Sequence, residues 1–286
     1  MLFQLFAVQL LFLQNYINAV LSVHLSVCHF CQLACNCGLI SLLSIFDKLL
    51  EKIMKSRLYS YLESNNILFD YQFGFRHNRS TTLALIDVVD KLYENLDKHN
   101  KVIGIYLDLQ KAFDTVNHDI LLHKLHNYGI RGVALDWFRN YLTGRYQYTT
   151  VNGVNSELTA VTCGVPQGSA LGSVLFLVYV SDIKNAVPGD QIKLFADDTN
   201  LFVSGCIIGD TNFYSNVKLN NKFSVNIEKT SYMTFPRNKA NETLLCINNQ
   251  VVNKVLSRRY LGVITDDELK WTDHINHVYK KTYKVL

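Results

Sequence analysis

Residues 192–203, IKLFADDTNLFV, consist of two short apolar runs on either side of a tight turn that contains Ala196, Asp197 and Asp198. Short apolar runs that flank such a turn are typical of a β-hairpin, so we expect both acids at a hairpin tip. Adjacent carboxylates repel each other and resist leaving water, and a bound cation relieves both effects. The stretch therefore indicates a cation site, with ordinary turn acids as the alternative that the pair alone leaves open.

A third carboxylate follows another apolar run. Residues 102–107, VIGIYL, are almost entirely apolar, which predicts a buried strand, and this strand ends at Asp108. If the strand pairs beside the hairpin, Asp108, Asp197 and Asp198 converge. Carboxylate oxygens without a nearby His or Cys favour Mg2+ over zinc, and two such ions can hold the attacking and leaving oxygens of a phosphoryl transfer.

The rest of the chain alternates between helical and strand patterns. Apolar residues at three- and four-residue spacing predict a helix from about Leu39 and a second helix after Ser80, which is the predicted N-cap. The dipeptide Asn152-Gly153 predicts a hairpin, and short apolar runs after residue 230 predict further strands. Further helices are predicted near 117–127, 132–143 and 170–183. This alternation predicts an α+β fold.

The composition indicates a folded protein with an unusual leader. The 286 residues are 49% hydrophobic and 18% charged, which is too apolar for a disordered chain, and their net charge is +4. The apolar run at the start has no basic residue before it, unlike a secretory signal, and polar amides interrupt it, unlike a membrane span. We therefore expect residues 1–37 to be an apolar leader, with a non-native origin as one interpretation, on an intracellular protein without membrane association.

The leader also contains a group of cysteines. Cys28, Cys31, Cys35 and Cys37 lie within ten residues of one another. A zinc finger needs a second ligand pair about a dozen or more residues away, and none follows at that spacing. We therefore assign no zinc site.

Ordered motifs connect these observations to a family. The blocks YLDLQKAFDTVNHDILL (106–122), GVPQGSALGSVLF (164–176) and LFADDTNLF (194–202) strongly resemble the palm motifs of reverse transcriptases. With FGFRHNRSTTLAL (73–85) and YLGVITDDELKWTDHI (260–275), the chain resembles the reverse transcriptase of non-LTR (LINE-type, jockey-like) retrotransposons. Five blocks in this order are far more specific than any one of them.

The resemblance implies a right-hand polymerase fold, in which an antiparallel palm sheet packs on helices. Residues 38–100 would form the fingers, 101–262 the palm with the catalytic carboxylates, and 263–286 the start of a truncated thumb. The interval 205–224 is shorter than is typical of the family, and Ser173 stands where the family often has proline.

The resemblance also implies a catalytic centre. Asp108, Asp197 and Asp198 would be the catalytic carboxylates and would bind two Mg2+ ions, or Mn2+ in their place, with the backbone carbonyl of Leu109 as a further ligand. Lys229, in NIEKTSYMTF, would donate a proton to the departing pyrophosphate, and a solvated surface lysine is the alternative.

Other positions would bind the substrates. Arg76 would meet the triphosphate, Gln167 and Gly168 would contact the nucleotide, and Phe113 would exclude a ribose 2′-hydroxyl unless it is an ordinary core residue. The family's primer grip corresponds to three consecutive residues, Tyr260, Leu261 and Gly262.

The implied function is that of an RNA-directed DNA polymerase, a nucleotidyltransferase. Its partners would be an RNA template, a DNA primer and dNTPs, without a stable protein partner. Two other classes stay open: an inactive, truncated element remnant that at most binds nucleic acid, and a Mg2+-dependent nuclease or phosphatase. Phe113, Gln167 and Arg76 argue against the last class, because it needs no dNTP site.

Overall fold

The computed structural model describes residues 45–148, 150–151, 154–185, 191–204, 222–236, 245–247 and 250–283. The predicted leader with its cysteines, the predicted turn residues Asn152 and Gly153, and most of the short interval 205–224 lie outside these residues. The described residues form two units. The first unit takes its residues from Met1–Phe69, Lys111–Ile183 and Leu219–Phe223, and the second from Asp70–Gln110, Lys184–Lys218 and Ser224–Leu286.

The helices and strands follow the predicted α+β alternation. The described helices are α1 (Ile45–Ser64), α2 (Thr81–Asp97), α3 (His118–Asn127), α4 (Val133–Leu142), α5 (Gly172–Val180), a 3₁₀ segment (Ser181–Asn185) and α6 (Thr272–Tyr283). The described strands are β1 (Val102–Leu107), β2 (Tyr146–Gln147), β3 (Thr150–Val151), β4 (Val154–Asn155), β5 (Thr159–Ala160), β6 (Ile192–Phe195), β7 (Asp198–Ser204), β8 (Ser231–Phe235), β9 (Cys246–Ile247), β10 (Gln250–Val251), β11 (Asn253–Lys254), β12 (Ser257–Tyr260) and β13 (Val263–Asp266).

The first unit is a helical layer formed by α1, α3, α4 and α5. The helix α1 buries Met54, Leu58 and Leu62, which lie four residues apart on one face. The helix α5, GSVLFLVYV, is apolar on every side and almost wholly buried, as expected of a helix at the centre of a core. Phe223 packs edge-on against Tyr179 of α5, with ring centres 5.3 Å apart.

The second unit contains a five-stranded sheet in the order β11–β8–β1–β7–β6. The strands β8, β1, β7 and β6 are antiparallel to their neighbours, as expected. The edge strand β11 instead runs parallel to β8, so the sheet is mixed at this edge. The reason is topological, since the chain after β8 returns to the starting end of that strand before β11 begins.

A hydrophobic core fixes the sheet against α2 and against the hairpin of β12 and β13. It consists of Val88, Leu92, Val102, Tyr106, Phe202, Met233, Phe235, Tyr260 and Leu269. Gly104 makes room for two of the rings, because a Cβ there would lie 3.1 Å from Phe235 and 3.2 Å from Phe202. Ser80 caps α2 as predicted, and its hydroxyl accepts a hydrogen bond from the Leu83 N–H at 3.1 Å. None of the described helices is both long and apolar enough to cross a membrane.

Candidate active site

The predicted hairpin tip is confirmed. Phe195 pairs with Asp198 in the register of β6 and β7, which leaves Ala196 and Asp197 as a two-residue turn. Ala196 has a φ of +57°, a left-handed conformation that glycine normally occupies at the first position of such a turn. Asp197 therefore projects from the turn itself, and Asp198 begins β7.

The third carboxylate lies beside this tip. Leu107 pairs with Thr199 in the antiparallel register of β1 and β7, so the next position places Asp108 across from Asp198. Facing residues of antiparallel strands have Cβ atoms about 5 Å apart. The pairing of the Asp108 strand beside the hairpin is therefore confirmed.

The carboxylates at the tip disfavour one another's charge. The side chains of Asp197 and Asp198 reach solvent, but the protein around them removes part of their hydration and raises the pKa of both. The charge on Asp108 raises the pKa of Asp197 further, whereas the backbone N–H of Asp197 lowers it. For Asp198, the charges on Asp197 and Asp108 add to the increase in pKa and the positive charge on Arg258 opposes it. The tip is therefore a site at which a cation would stabilise the ionised acids.

The donor set fits Mg2+ by its chemistry, because it consists of carboxylate oxygens that repel one another. Across the described ranges, however, no three His, Cys, Asp or Glu side chains are gathered closely enough to bind an ion together. Metal binding would thus require the side chains of Asp108, Asp197 and Asp198 to turn toward a common point. The predicted metal ligand Leu109 follows Asp108 directly, is buried, and forms an isolated bridge with Val225.

A glutamine that sequence reasoning missed holds the Ala196–Asp197 turn. The side chain of Gln72 is buried, and its Oε1 accepts hydrogen bonds from the N–H groups of Gly74 at 2.8 Å and Ala196 at 3.0 Å. Its Nε2 donates to the carbonyl oxygen of Ala196 at 3.2 Å. Gln72 therefore binds both backbone groups of the left-handed residue that directs Asp197. The sequence signal available for Gln72 is its position in YQFGF (71–75), the segment that directly precedes the predicted site residue Arg76.

Gly74 lies against the same turn. A Cβ on Gly74 would be 2.1 Å from the Ala196 nitrogen, far inside any normal contact. The loop that contains Arg76 can approach the Ala196–Asp197 turn only because residue 74 has no side chain. Arg76 itself is half-buried two residues further along this loop.

A second turn supports the end of β1. The N–H of Asp108 donates to Thr230 Oγ1 at 3.2 Å, and the carbonyl oxygen of Asp108 accepts from the Asn226 N–H at 2.8 Å. The Thr230 hydroxyl donates in turn to the Asn226 carbonyl oxygen at 2.7 Å. Lys229 belongs to this turn and is exposed, so its position is compatible with both the predicted proton donor and the surface alternative.

The predicted primer-grip residues form the end of another hairpin. Tyr260 closes β12 and is buried in the core cluster of the second unit. Leu261 and Gly262 form the turn to β13, and both have positive φ values, +45° and +92°. Their backbone is thus presented at a hairpin tip, and their contact with a primer stays a prediction.

The other predicted nucleotide-binding residues belong to the first unit. The ring of Phe113 stacks on Phe176 with centres 4.3 Å apart and is half-buried, so Phe113 has core contacts and an accessible side. Gln167 Nε2 donates to Asp114 Oδ1 at 3.2 Å, and Gly168 has a φ of +88°. Burial raises the pKa of Asp114, and the charge on Lys111 and the bond from Gln167 oppose this increase.

A buried acid braces the loop that carries Gln167. Glu51 of α1 accepts hydrogen bonds from the Tyr141 hydroxyl at 2.5 Å and from the Ala170 N–H at 2.8 Å. Burial raises the pKa of Glu51 and outweighs these two bonds and the nearby charge of Arg145. No local pattern around Glu51 indicates this long-range contact.

Comparisons with known proteins agree with the predicted motifs. The family model described as reverse transcriptase (RNA-dependent DNA polymerase) matches residues 37–265. The chain is 28% identical to the RNA-directed DNA polymerase from mobile element jockey of Drosophila melanogaster and 31% identical to that of Drosophila funebris, over 83% and 82% of its length. It spans 28% and 27% of the length of these two relatives.

Solved structures show the same fold. Apo telomerase from Candida tropicalis matches 77% of the chain with a TM-score of 0.54 and 12% identity, and the match covers 40% of that protein. Telomerase from Candida albicans, solved with a TWJ fragment of telomeric RNA, matches 77% with a TM-score of 0.51 and 14% identity, over 38% of that protein. At these identities the likeness concerns the fold alone, and it confirms the predicted α+β polymerase architecture.

Proposed function

Because the chain belongs to the reverse transcriptase (RNA-dependent DNA polymerase) family, we propose that it catalyses RNA-directed DNA synthesis. In this reaction the 3′-hydroxyl of a DNA primer attacks the α-phosphate of a dNTP, the new phosphodiester bond forms, and the bond to pyrophosphate breaks. The observation that carries the proposal is the position of Asp108 across from Asp198, beside the turn that bears Asp197. The same observation supports a working polymerase over an inactive remnant.

The three carboxylates and the Leu109 carbonyl would hold two divalent cations, Mg2+ or Mn2+. When bound, such ions lower the pKa of the primer hydroxyl and stabilise the charge on the departing pyrophosphate. The register of β1, β6 and β7 places Asp108, Asp197 and Asp198 where they would hold these ions, while Gln72 keeps the turn in its left-handed conformation.

The remaining predicted residues would bind the dNTP. The guanidinium of Arg76 suits the triphosphate oxygens, and the positive φ of Gly168 suits close backbone approach to the nucleotide. Gln167 is oriented by its bond to Asp114, and the accessible side of Phe113 would exclude a ribose 2′-hydroxyl by volume. Lys229 would donate a proton to pyrophosphate, which its exposed position at the second turn permits.

The proposed macromolecular partners are an RNA template and a DNA primer. Base pairing between them selects each incoming dNTP, so the protein needs contacts to backbone and shape and not to particular bases. The backbone turn at Leu261 and Gly262 is the proposed contact for the primer end. A relative named as an RNA-directed DNA polymerase and a neighbour solved with telomeric RNA support this class of partner.

Primer extension tests the proposal directly. The full chain, an RNA template with an annealed DNA primer, dNTPs and Mg2+ should yield extended primer, and the doubly substituted Asp197→Ala, Asp198→Ala protein should yield none. Circular dichroism melts verify that both proteins fold. A folded wild-type protein that does not extend the primer would contradict the proposal.

A further inference from the structure

Arg258 connects three parts of the candidate active site, although no motif marks it. It lies in β12, and its Nη1 donates hydrogen bonds to the backbone carbonyl oxygen of Lys229 at 3.2 Å and to the hydroxyl of Ser231. Its guanidinium carbon also lies 5.2 Å from the centre of the Tyr106 ring in β1. A half-buried arginine with these contacts has little freedom to move.

The residues that Arg258 binds determine what it can do. Lys229 and Ser231 flank Thr230, whose hydroxyl accepts the hydrogen bond from the Asp108 N–H. A guanidinium that holds both neighbours of Thr230 therefore also fixes the support for the Asp108 backbone.

We infer that Arg258 is a positioning residue for nucleotidyl transfer, which fixes the Lys229 turn against the β12–β13 hairpin and thereby supports the backbone of Asp108. The inference rests on the proposed function. Both hydrogen bonds to the turn leave the same Nη1, so the role depends on the reach and planarity of the guanidinium. Lysine in its place would keep the positive charge without this geometry, and glutamine would keep neither.

The neighbouring residue supplies a matched control. Arg259 is exposed, and adjacent residues of a strand point to opposite faces, so Arg259→Gln removes the same charge from the other side of β12. A contribution from net charge or from β12 stability alone would affect Arg258→Gln and Arg259→Gln alike.

Hydrogen–deuterium exchange tests the hydrogen bonds from Arg258 to the turn without any need for activity. Amide exchange in peptides that cover 226–231 should accelerate roughly tenfold in Arg258→Lys and Arg258→Gln, because the bonds that hold the turn are lost. Arg259→Gln should exchange like the wild type. Unchanged protection of this turn in Arg258→Lys would overturn the positioning role.

Primer extension then connects the positioning role to the reaction. We expect Arg258→Lys to lower kcat about tenfold while the KM for dNTP stays unchanged, because the hydrogen bonds to the turn and not the charge are lost. Full activity of Arg258→Lys would refute the inference. A folded wild type without activity would instead contradict the proposed function, and the exchange experiment would still decide the role of Arg258.

Discussion

Replacement of Gly74 by alanine is expected to displace the catalytic turn. The added Cβ would lie 2.1 Å from the Ala196 nitrogen and 2.9 Å from both the Ala196 Cα and the Phe195 carbonyl carbon. Ordinary contact begins at 3.4 Å, so the two segments must separate by 3.4 − 2.1 = 1.3 Å. All three atoms belong to the backbone, so no change of rotamer can relieve the contact.

The displacement has calculable consequences for both stability and catalysis. Overpacking of this kind costs about 1–3 kcal/mol of unfolding free energy. A shift of about 1 Å in a catalytic group can lower the rate about 100-fold. Because Ala196 directly precedes Asp197, we expect Gly74→Ala to lose about two orders of magnitude in kcat/KM while the chain still folds.

Steady-state primer extension and thermal melts measure the two effects separately. Gly144→Ala is the matched control, since Gly144 has a φ of +67° and a Cβ there would meet nothing within 4 Å. Alanine in that left-handed conformation costs about 1–2 kcal/mol, so the control should lose stability and keep its activity. Wild-type activity in Gly74→Ala, together with a lowered melting temperature, would refute the idea that this close approach sets the catalytic turn.

Three further variants test other parts of the site. Asp198→Asn should abolish extension yet raise the melting temperature in EDTA. Folding raises the pKa of Asp198, so the contribution of this acid to stability is greatest below the unfolded pKa of about 3.9 and is lost as the pH rises through the folded pKa. In melts from pH 3 to pH 7, the stability gained by Asp198→Asn should therefore appear over that interval. Glu51→Ala should cost about 2–4 kcal/mol in urea unfolding, because the Tyr141 hydroxyl and the Ala170 N–H lose their acceptor, and Glu51→Gln should cost less. Phe113→Val should increase incorporation of rNTPs relative to dNTPs in primer extension, because it removes the bulk that would meet a 2′-hydroxyl.

Each of these variants has an outcome that contradicts its premise. A lower melting temperature of Asp198→Asn in EDTA would show that the ionised acid stabilises the tip. Equal unfolding free energies for Glu51→Ala and wild type would remove the bracing role of Glu51. An unchanged ratio of rNTP to dNTP incorporation in Phe113→Val would leave Phe113 as a core residue packed on Phe176.

The sequence predicted the features that depend on near neighbours in the chain. The apolar spacing around Leu58 and the cap at Ser80 identified α1 and α2, because helices bury one face and need a first-turn acceptor. The apolar runs around Asp197 identified a hairpin, because strand pairing across a short turn is local. The pairing of the Asp108 strand was a conditional expectation, which the motif order strengthened and the register confirmed.

The features that were missed depend on contacts between distant residues. Gln72 and Ala196 are 124 positions apart, and nothing near Gln72 indicates that its amide matches the backbone groups of a left-handed residue. Arg258 and Ser231 are 27 positions apart and lie in two strands, β12 and β8, that belong to different sheets. The parallel pairing of β11 with β8 is a consequence of the path that the chain takes between these two strands, and composition does not specify that path.

The catalytic tip combines two unfavourable features, mutual repulsion among its aspartates and a left-handed Ala196, which costs about 1–2 kcal/mol in a residue other than glycine. Gln72 offsets the cost of the left-handed Ala196, since each of its two bonds to Ala196 contributes about 1 kcal/mol. Arg258 offsets only part of the repulsion among the aspartates, because the pKa of Asp198 stays raised despite the positive charge of Arg258. The remaining repulsion is what a bound divalent cation would remove, and a ligand that binds only the native state stabilises it. The metal affinity and the stability of the hairpin tip are therefore coupled. Substitutions that reduce the repulsion among the aspartates in the absence of a cation should also weaken cation binding.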